Sequence, residues 1–199
     1  LVLRALSGRP IDRRDAYHLS KVAKSFIAGQ LVHAREMSAV FAQWVNSYKR
    51  LVPGYEAPVY VAWSQRNRSA LIRIPLYKPG SEQATRAEIR CPDPACNPYL
   101  AFAALLHAGL EGIAHDLDPG PPINKNIYKM SFRERRHLRI DELPGNLNDA
   151  LDALEKDEVV QTALGHHIYE HFLEAKRNEW QEYIQQVSAW EISRYLTVY

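Results

Sequence analysis

The stretch Asn46–Arg90 decides the fold of this chain; it reads NSYKRLVPGYEAPVYVAWSQRNRSALIRIPLYKPGSEQATRAEIR. Within it, Pro58–Trp63 and Ala70–Pro75 are runs of β-branched and aromatic residues, which predicts two strands joined by a polar loop. From Arg86 to Cys91 charged and apolar residues alternate, which predicts a further strand with its charges on one face. Proline and glycine between these runs mark the turns.

The same stretch is rich in arginine. Its charged positions of interest are Arg50, Arg66, Arg68, Arg73, Arg86 and Arg90, together with Glu56 and Glu88. A guanidinium group on a partly buried strand needs an anionic partner, because arginine does not lose its proton. From the residues alone, two interpretations stay open. The strand is a solvated one with ordinary ion pairs, or it lines a cleft where arginines bind carboxylate or phosphate and Glu88 binds a divalent cation.

Helical periodicity surrounds these strands on both sides. The predicted helices are an amphipathic one after a cap at Asp15, a second over Ala34–Val45, an apolar one over Tyr99–Ile113, one over Asn148–Asp157 and a long one over Val159–Tyr195.

Composition limits the function classes. The chain has 199 residues, enough for one domain, and its 25 basic and 23 acidic residues balance too closely to indicate a nucleic acid or a membrane surface as partner. Cys91 and Cys96 lack the spacing of a zinc site and are predicted to be reduced packing residues. The sequence has no apolar run of about 20 residues and no signal-peptide pattern, so we predict a cytoplasmic protein.

Several long motifs resemble one known family. They are LSKVAKSFIAGQL (19–31), NSYKRLVPGYEAP (46–58), NRSALIRIP (67–75), RAEIRCPDPACNPYLAFAALLHAGLEGI (86–113), NIYKMSFRERR (126–136), LPGNLNDALDALEKDEVV (143–160) and RYLTVY (194–199). Together they resemble the C-terminal half of the catalytic domain of bacterial and archaeal type I glutamine synthetases. The resemblance implies an α+β fold, with a few antiparallel strands of a curved sheet packed with several helices. It assigns 15–199 to the catalytic domain and leaves 1–14 as an unassigned N-terminal arm, with the family's N-terminal β-grasp domain absent.

The resemblance also implies an activity. Members of this family join glutamate and ammonium with ATP and Mg²⁺ or Mn²⁺, through a γ-glutamyl phosphate. The site residues that it implies are Arg50, Glu56, Arg68 and Arg90 for glutamate, Arg68, Arg73 and Arg86 for ATP, Glu88 for the metal, and Glu56, Arg68 and Arg73 for catalysis. Glu56 matches the glutamate of the flap that shields the acyl phosphate, and Arg66 gains no role.

The resemblance leaves alternatives open. The remaining metal carboxylates of the family lie upstream of the matched motifs, so this chain is expected to supply one wall of the site and not to act alone. The chain is then a ligase for glutamate and ammonia, a γ-glutamyl ligase for another amine such as a polyamine or methylamine, or a non-catalytic structural or regulatory homologue. Tyr128 occupies a position that one branch of the family adenylylates, but the residues after it resemble the branch without that control. The expected assembly is a homo-oligomer, a dodecamer in the family.

Overall fold

The computed structural model describes residues 2–4, 12, 14–55, 57–76, 79 and 85–198. Its strands are β1 (Val2–Arg4), β2 (Tyr60–Gln65), β3 (Ala70–Ile74), β4 (Arg86–Ile89) and β5 (Asp141–Glu142). Its α-helices are α1 (Lys21–Val32), α2 (Ser38–Phe41), α3 (Pro98–Ala114), α4 (Phe132–His137), α5 (Leu147–Leu154), α6 (Glu158–Leu164), α7 (His166–Ile184) and α8 (Ala189–Tyr195). Two 3₁₀ helices, Val45–Lys49 and Ile127–Lys129, complete the described elements. The predicted α+β class is confirmed.

The described strands form one sheet in the order β1-β4-β3-β2-β5. The pairs β1–β4, β3–β4 and β2–β5 are antiparallel, as the resemblance implies. The pair β2–β3 differs, since Tyr60 lies opposite Ala70 and Gln65 opposite Ile74, which makes it parallel. Residues 66–69 must therefore carry the chain back along β2 before β3 begins. Parallel neighbours usually need a longer connection, and this short one is a specific feature of the fold.

The helices cover the sheet and bury an apolar core. Strand β3 contributes Leu71, Ile72 and Ile74, all at most 1% exposed, and Phe41 of α2 and Leu151 of α5 are buried equally well. Helix α3 follows the predicted span closely, because Asn97 caps its start and Pro98 occupies its first turn.

Helix α1 begins later than predicted. Ser20 is its cap, since the Ser20 hydroxyl accepts a hydrogen bond from the Ala23 backbone N–H. Asp15 instead stabilises the preceding turn, where its carboxylate accepts from the backbone N–H groups of Tyr17 and Leu19 at 3.0 Å each. The helical pattern was right, but the cap assignment to Asp15 was wrong because both residues can accept from a free N–H.

Two predicted helices are shorter than their apolar patterns indicate. Over 34–45 only α2 is an α-helix, because Ala42 leaves the helical region at φ −128° and ψ 62°. The long helix predicted for Val159–Tyr195 is three helices. Gly165, at φ 74° and ψ 150°, separates α6 from α7, and Ser188 with Glu191 forms a capping box that starts α8 anew.

The cysteines agree with their predicted role. Both are free thiols; Cys91 is buried and Cys96 half-buried. Burial raises the pKa of the Cys91 thiol to about 12, so it is protonated at neutral pH. Within the described ranges, no helix is both long and apolar enough to cross a membrane. Val2–Arg4 pairs with β4, and the domain boundary at 14 stays a prediction.

Candidate active site

The centre of the candidate site is the carboxylate of Glu88 on β4. Arg73, its cross-strand neighbour on β3, donates from Nε to Glu88 Oε2 at 2.7 Å. Arg86, two residues before Glu88, donates from Nε to Oε1 at 2.9 Å, and its Nη2 lies 2.8 Å from the same oxygen. The Glu88 side chain is 12% exposed, whereas the two arginines are 35% and 36% exposed. One carboxylate therefore holds two guanidinium groups that still reach solvent.

These contacts determine the protonation of Glu88. Burial by itself raises the pKa of the carboxyl group, but the hydrogen bonds and charges of Arg73 and Arg86 outweigh it and hold the pKa below its ordinary value. Glu88 is therefore ionised at neutral pH. The predicted alternation of charges along this strand is confirmed, with Glu88 paired to arginines on its own strand and on the next.

Arg90 continues the charged face beyond the end of β4. Its backbone N–H donates to the Leu71 carbonyl at 3.1 Å, which keeps it aligned with β3. Its guanidinium donates to the carbonyl of Arg68. Burial, with the like charges of Arg73 and Arg68, lowers the pKa of Arg90. Among the described residues, this face therefore has more positive than negative charge, which an anionic ligand would neutralise; its charged groups are Arg68, Arg73, Arg86, Arg90 and Glu88.

Arg50 approaches the same strand end from another direction. Its guanidinium donates to the carbonyl oxygens of Cys91 at 3.0 Å, Pro92 at 3.4 Å and Arg90 at 3.3 Å. Arg50 therefore holds the chain where it leaves β4, and its predicted binding of glutamate stays a prediction. Arg68 lies in the loop after β2 with an exposed side chain, and Arg66 in the same loop is also exposed, at φ 67°.

Two predicted roles have limited support in the described residues. Glu56, the predicted flap residue, lies outside them. Glu88 offers one carboxylate to a metal, but both of its oxygens already accept from arginine. No group of three or more His, Cys, Asp or Glu side chains suited to a metal ion occurs within the described ranges. The residues at hand are not a metal centre by themselves, since Mg²⁺ requires several oxygen ligands.

Sequence reasoning missed one neighbour of the arginine face. Tyr128, considered only as a position for modification, lies close enough to Arg90 for each group to affect the pKa of the other. Its ring packs on Tyr60 with centroids 5.7 Å apart, and the Arg135 guanidinium lies 5.1 Å from the centre of the Tyr60 ring. No signal in the sequence could show this contact, because Tyr128 is 38 positions from Arg90.

Comparison with known proteins places the chain in a family. A family model described as the glutamine synthetase catalytic domain matches residues 8–195. The chain belongs to this family. It is 55% identical over 188 residues to the glutamine synthetase of Thermus thermophilus, with 94% of this chain and 42% of that protein covered. It is 54% identical over 180 residues to that of Methanosarcina mazei, with 90% and 40% covered.

Solved structures show the same fold. A structure of GmaS in complex with ADP matches with a TM-score of 0.80 at 36% identity, covering 94% of this chain and 42% of that one. Ligand-free GmaS matches with a TM-score of 0.78 at 37% identity, covering 94% and 41%. The chain spans about two fifths of the length of these relatives.

Proposed function

We propose that the protein containing this chain is a glutamine synthetase that ligates ammonia to glutamate with ATP, and that this chain supplies one wall of its active site. The observation that carries the proposal is the arginine face around Glu88, in a chain that belongs to the glutamine synthetase catalytic-domain family. Relatives about half identical to it carry that name. Because the chain spans only part of those relatives, their activity is proposed for it and not transferred directly.

The charge on this face suits the first half of the reaction. The γ-carboxylate of glutamate attacks the γ-phosphorus of ATP, the bond from that phosphorus to the bridging oxygen breaks, and ADP leaves with the electron pair. Both reactants are anions, so guanidinium groups that are already held in place lower the cost of bringing them together. Arg68 and Arg73 would neutralise the phosphoryl oxygens and Arg86 would contact ATP.

The second half of the reaction needs a shielded acyl phosphate. Ammonia attacks the carbonyl carbon of the γ-glutamyl phosphate, the bond from that carbon to the phosphate oxygen breaks, and inorganic phosphate leaves. Arg50 and Arg90 would hold glutamate throughout, with Arg68 assisting, and Glu56 would close the site and accept a proton from ammonium. Mg²⁺ or Mn²⁺ belongs to the proposal, with Glu88 as one ligand; no step is assigned to it, because the described residues hold no cluster of three or more candidate ligands.

The test is phosphate release by the full-length gene product. We expect release from ATP that requires Mg²⁺, glutamate and ammonium together. The matched variants are Arg68→Gln and Arg66→Gln, which remove one exposed guanidinium each from the same loop. Losing a charge that stabilises the transition state typically lowers kcat by about 10²–10³-fold, so we expect that loss for Arg68→Gln and less than about a twofold change for Arg66→Gln.

Other outcomes separate the alternatives. Activity with methylamine or a polyamine but not with ammonium would replace glutamine synthesis by ligation of another amine. A folded full-length protein that releases no phosphate with any of these amines would indicate a non-catalytic homologue. Equal losses in Arg66→Gln and Arg68→Gln would contradict the role of Arg68.

Self-assembly is the second part of the proposal. Large apolar side chains near the end of the chain are exposed, with Val187 at 71%, Trp190 at 62%, Leu196 at 71% and Val198 at 72%. Large apolar side chains that stay exposed within one short segment are candidates for a protein contact, and we take them as support for a homo-oligomer. The number of subunits, twelve in the family resemblance, and a cytoplasmic location stay predictions.

A further inference from the structure

The side chain of Asn67 connects the arginine-bearing loop to a distant segment. Its Nδ2 donates to the carbonyl oxygens of Ile123 and Lys125, both at 2.7 Å. Its Oδ1 accepts from the Ser69 backbone N–H at 3.0 Å and from the Ser69 hydroxyl at 2.7 Å. Both donors and both acceptor positions of the amide are thus occupied. An asparagine in a solvated loop would instead form these hydrogen bonds with water.

Ser69 extends this network to the residue before Tyr128. Ser69 is 1% exposed. Its hydroxyl donates to Asn67 Oδ1 and also accepts from the Ile127 backbone N–H at 3.0 Å. The backbone N–H of Asn67 donates to the Ser64 hydroxyl at 3.3 Å. Residues 64–69 and 123–127 therefore form one hydrogen-bonded unit, and partly buried networks of this kind restrict the backbone strongly.

Arg68 lies between the two residues that make these bonds. Since hydrogen bonds fix both Asn67 and Ser69, the backbone of Arg68 has little freedom. The exposed Arg68 side chain therefore extends from a fixed Cα position. The Arg68 carbonyl in turn accepts from the guanidinium of Arg90. Asn67 therefore influences two arginines of the candidate site while its own amide is used entirely on the backbone and on Ser69.

We propose that Asn67 is a positioning residue that holds Arg68 and Arg90 in the geometry needed to bind phosphate and carboxylate. This inference rests on the proposed function. A displaced guanidinium group stabilises negative charge less well, and the effect is largest in the transition state because the charge is greatest there. Loss of Asn67 therefore lowers kcat strongly and also weakens the binding of ATP, by a smaller factor.

The experiment compares three variants of the full-length protein. Asn67→Ala removes the four hydrogen bonds of the Asn67 side chain, and Asn67→Asp keeps the acceptors for Ser69 while placing a charge against two carbonyl oxygens. Asn124→Ala is the matched control, because Asn124 lies between Ile123 and Lys125 but donates to the Tyr17 hydroxyl instead, at 3.1 Å. We expect kcat to fall at least about tenfold in both Asn67 variants and to change less than about twofold in the control.

A double variant distinguishes positioning from general weakening. If Asn67 acts through Arg68, the kcat of the double variant is less than about threefold below that of Arg68→Gln alone, because the two changes remove the same interaction. Multiplicative losses, or an unchanged kcat in Asn67→Ala, would overturn the proposal. Thermal unfolding of each variant shows whether it is folded at the assay temperature.

A third measurement separates this inference from the proposed function. If the wild-type protein releases no phosphate, the affinities of the same variants for ATP are measured by calorimetry. Weaker binding in Asn67→Ala than in Asn124→Ala then supports the positioning role even though the ligase assignment has failed. Equal affinities, or no ATP binding by the wild-type protein, overturn it.

Discussion

Replacing Gly29 by alanine should force apart helices α1 and α3, whose backbones meet at this glycine. A Cβ added at Gly29 of α1 would lie 1.9 Å from the Ala108 carbonyl oxygen and 2.8 Å from the Gly112 nitrogen, whereas ordinary contact begins at 3.4 Å. Both atoms belong to the backbone of α3, so they cannot turn aside as a side chain could. The helices would have to separate by about 1.5 Å at this point to restore normal contact.

The expected cost follows from two opposing effects. Alanine is favoured over glycine inside a helix by about 1 kcal/mol. Overfilling a packed interface costs about 1–3 kcal/mol and sometimes more. Here we expect the upper part of that range, because separating α1 from α3 also loosens Ala104, Leu105 and Ala108, which are at most 1% exposed. The net loss in the free energy of unfolding should be about 2 kcal/mol.

The assay is urea unfolding of the full-length protein, followed by circular dichroism at one fixed protein concentration. Gly145→Ala is the control, since a Cβ there meets no atom within 4 Å and Gly145 is not among the glycines with positive φ. We expect a lower midpoint for Gly29→Ala and an unchanged midpoint for Gly145→Ala. A Gly29→Ala protein as stable as the wild type would refute the close backbone contact between α1 and α3.

Two further predictions concern pairs outside the arginine face. His33 Nδ1 lies 2.5 Å from Asp157 Oδ2. This hydrogen bond outweighs burial and raises the pKa of His33 above 6.5. The pair's contribution to the free energy of unfolding is therefore complete below pH 6.5 and is lost as the pH rises through the raised pKa. Half-buried Glu36, whose pKa is also raised by burial, adds to the loss as it ionises, while Asp157, whose pKa is lowered, loses its contribution only in acid. His33→Gln should flatten the decline of Tm between pH 6 and 9, and a slope parallel to that of the wild type would contradict this. Arg177 of α7 donates to Asn148 and Asp152 at 2.6 Å each and also to Glu155. Arg177→Met should therefore lower the free energy of unfolding by about 1 kcal/mol at low salt. A Tm difference that persists undiminished in 1 M NaCl would argue against a charge effect.

The elements that could be predicted well depend on neighbours in the chain. Helix α3 and strands β2, β3 and β4 lie within about two residues of their predicted spans, because caps, proline and side-chain periodicity act over a few positions. The break at Gly165 escaped prediction because the apolar pattern continues across it, and a glycine in a helix pattern does not by itself show a positive φ. The two-residue strand β5 carries no pattern long enough to read.

Some features of the candidate site also follow from the local sequence, whereas others depend on the tertiary structure. Alternation along an extended chain is a local property, so the sequence by itself placed Arg86, Glu88 and Arg90 on one face of a strand. Only the tertiary structure decided that Arg73 is the second partner of Glu88, that Arg50 binds the backbone at the end of β4, and that Asn67 joins the loop of Arg68 to residues near Tyr128. These contacts depend on strand register and on segments brought together by folding, and one register can be exchanged for another without changing the local pattern of any strand.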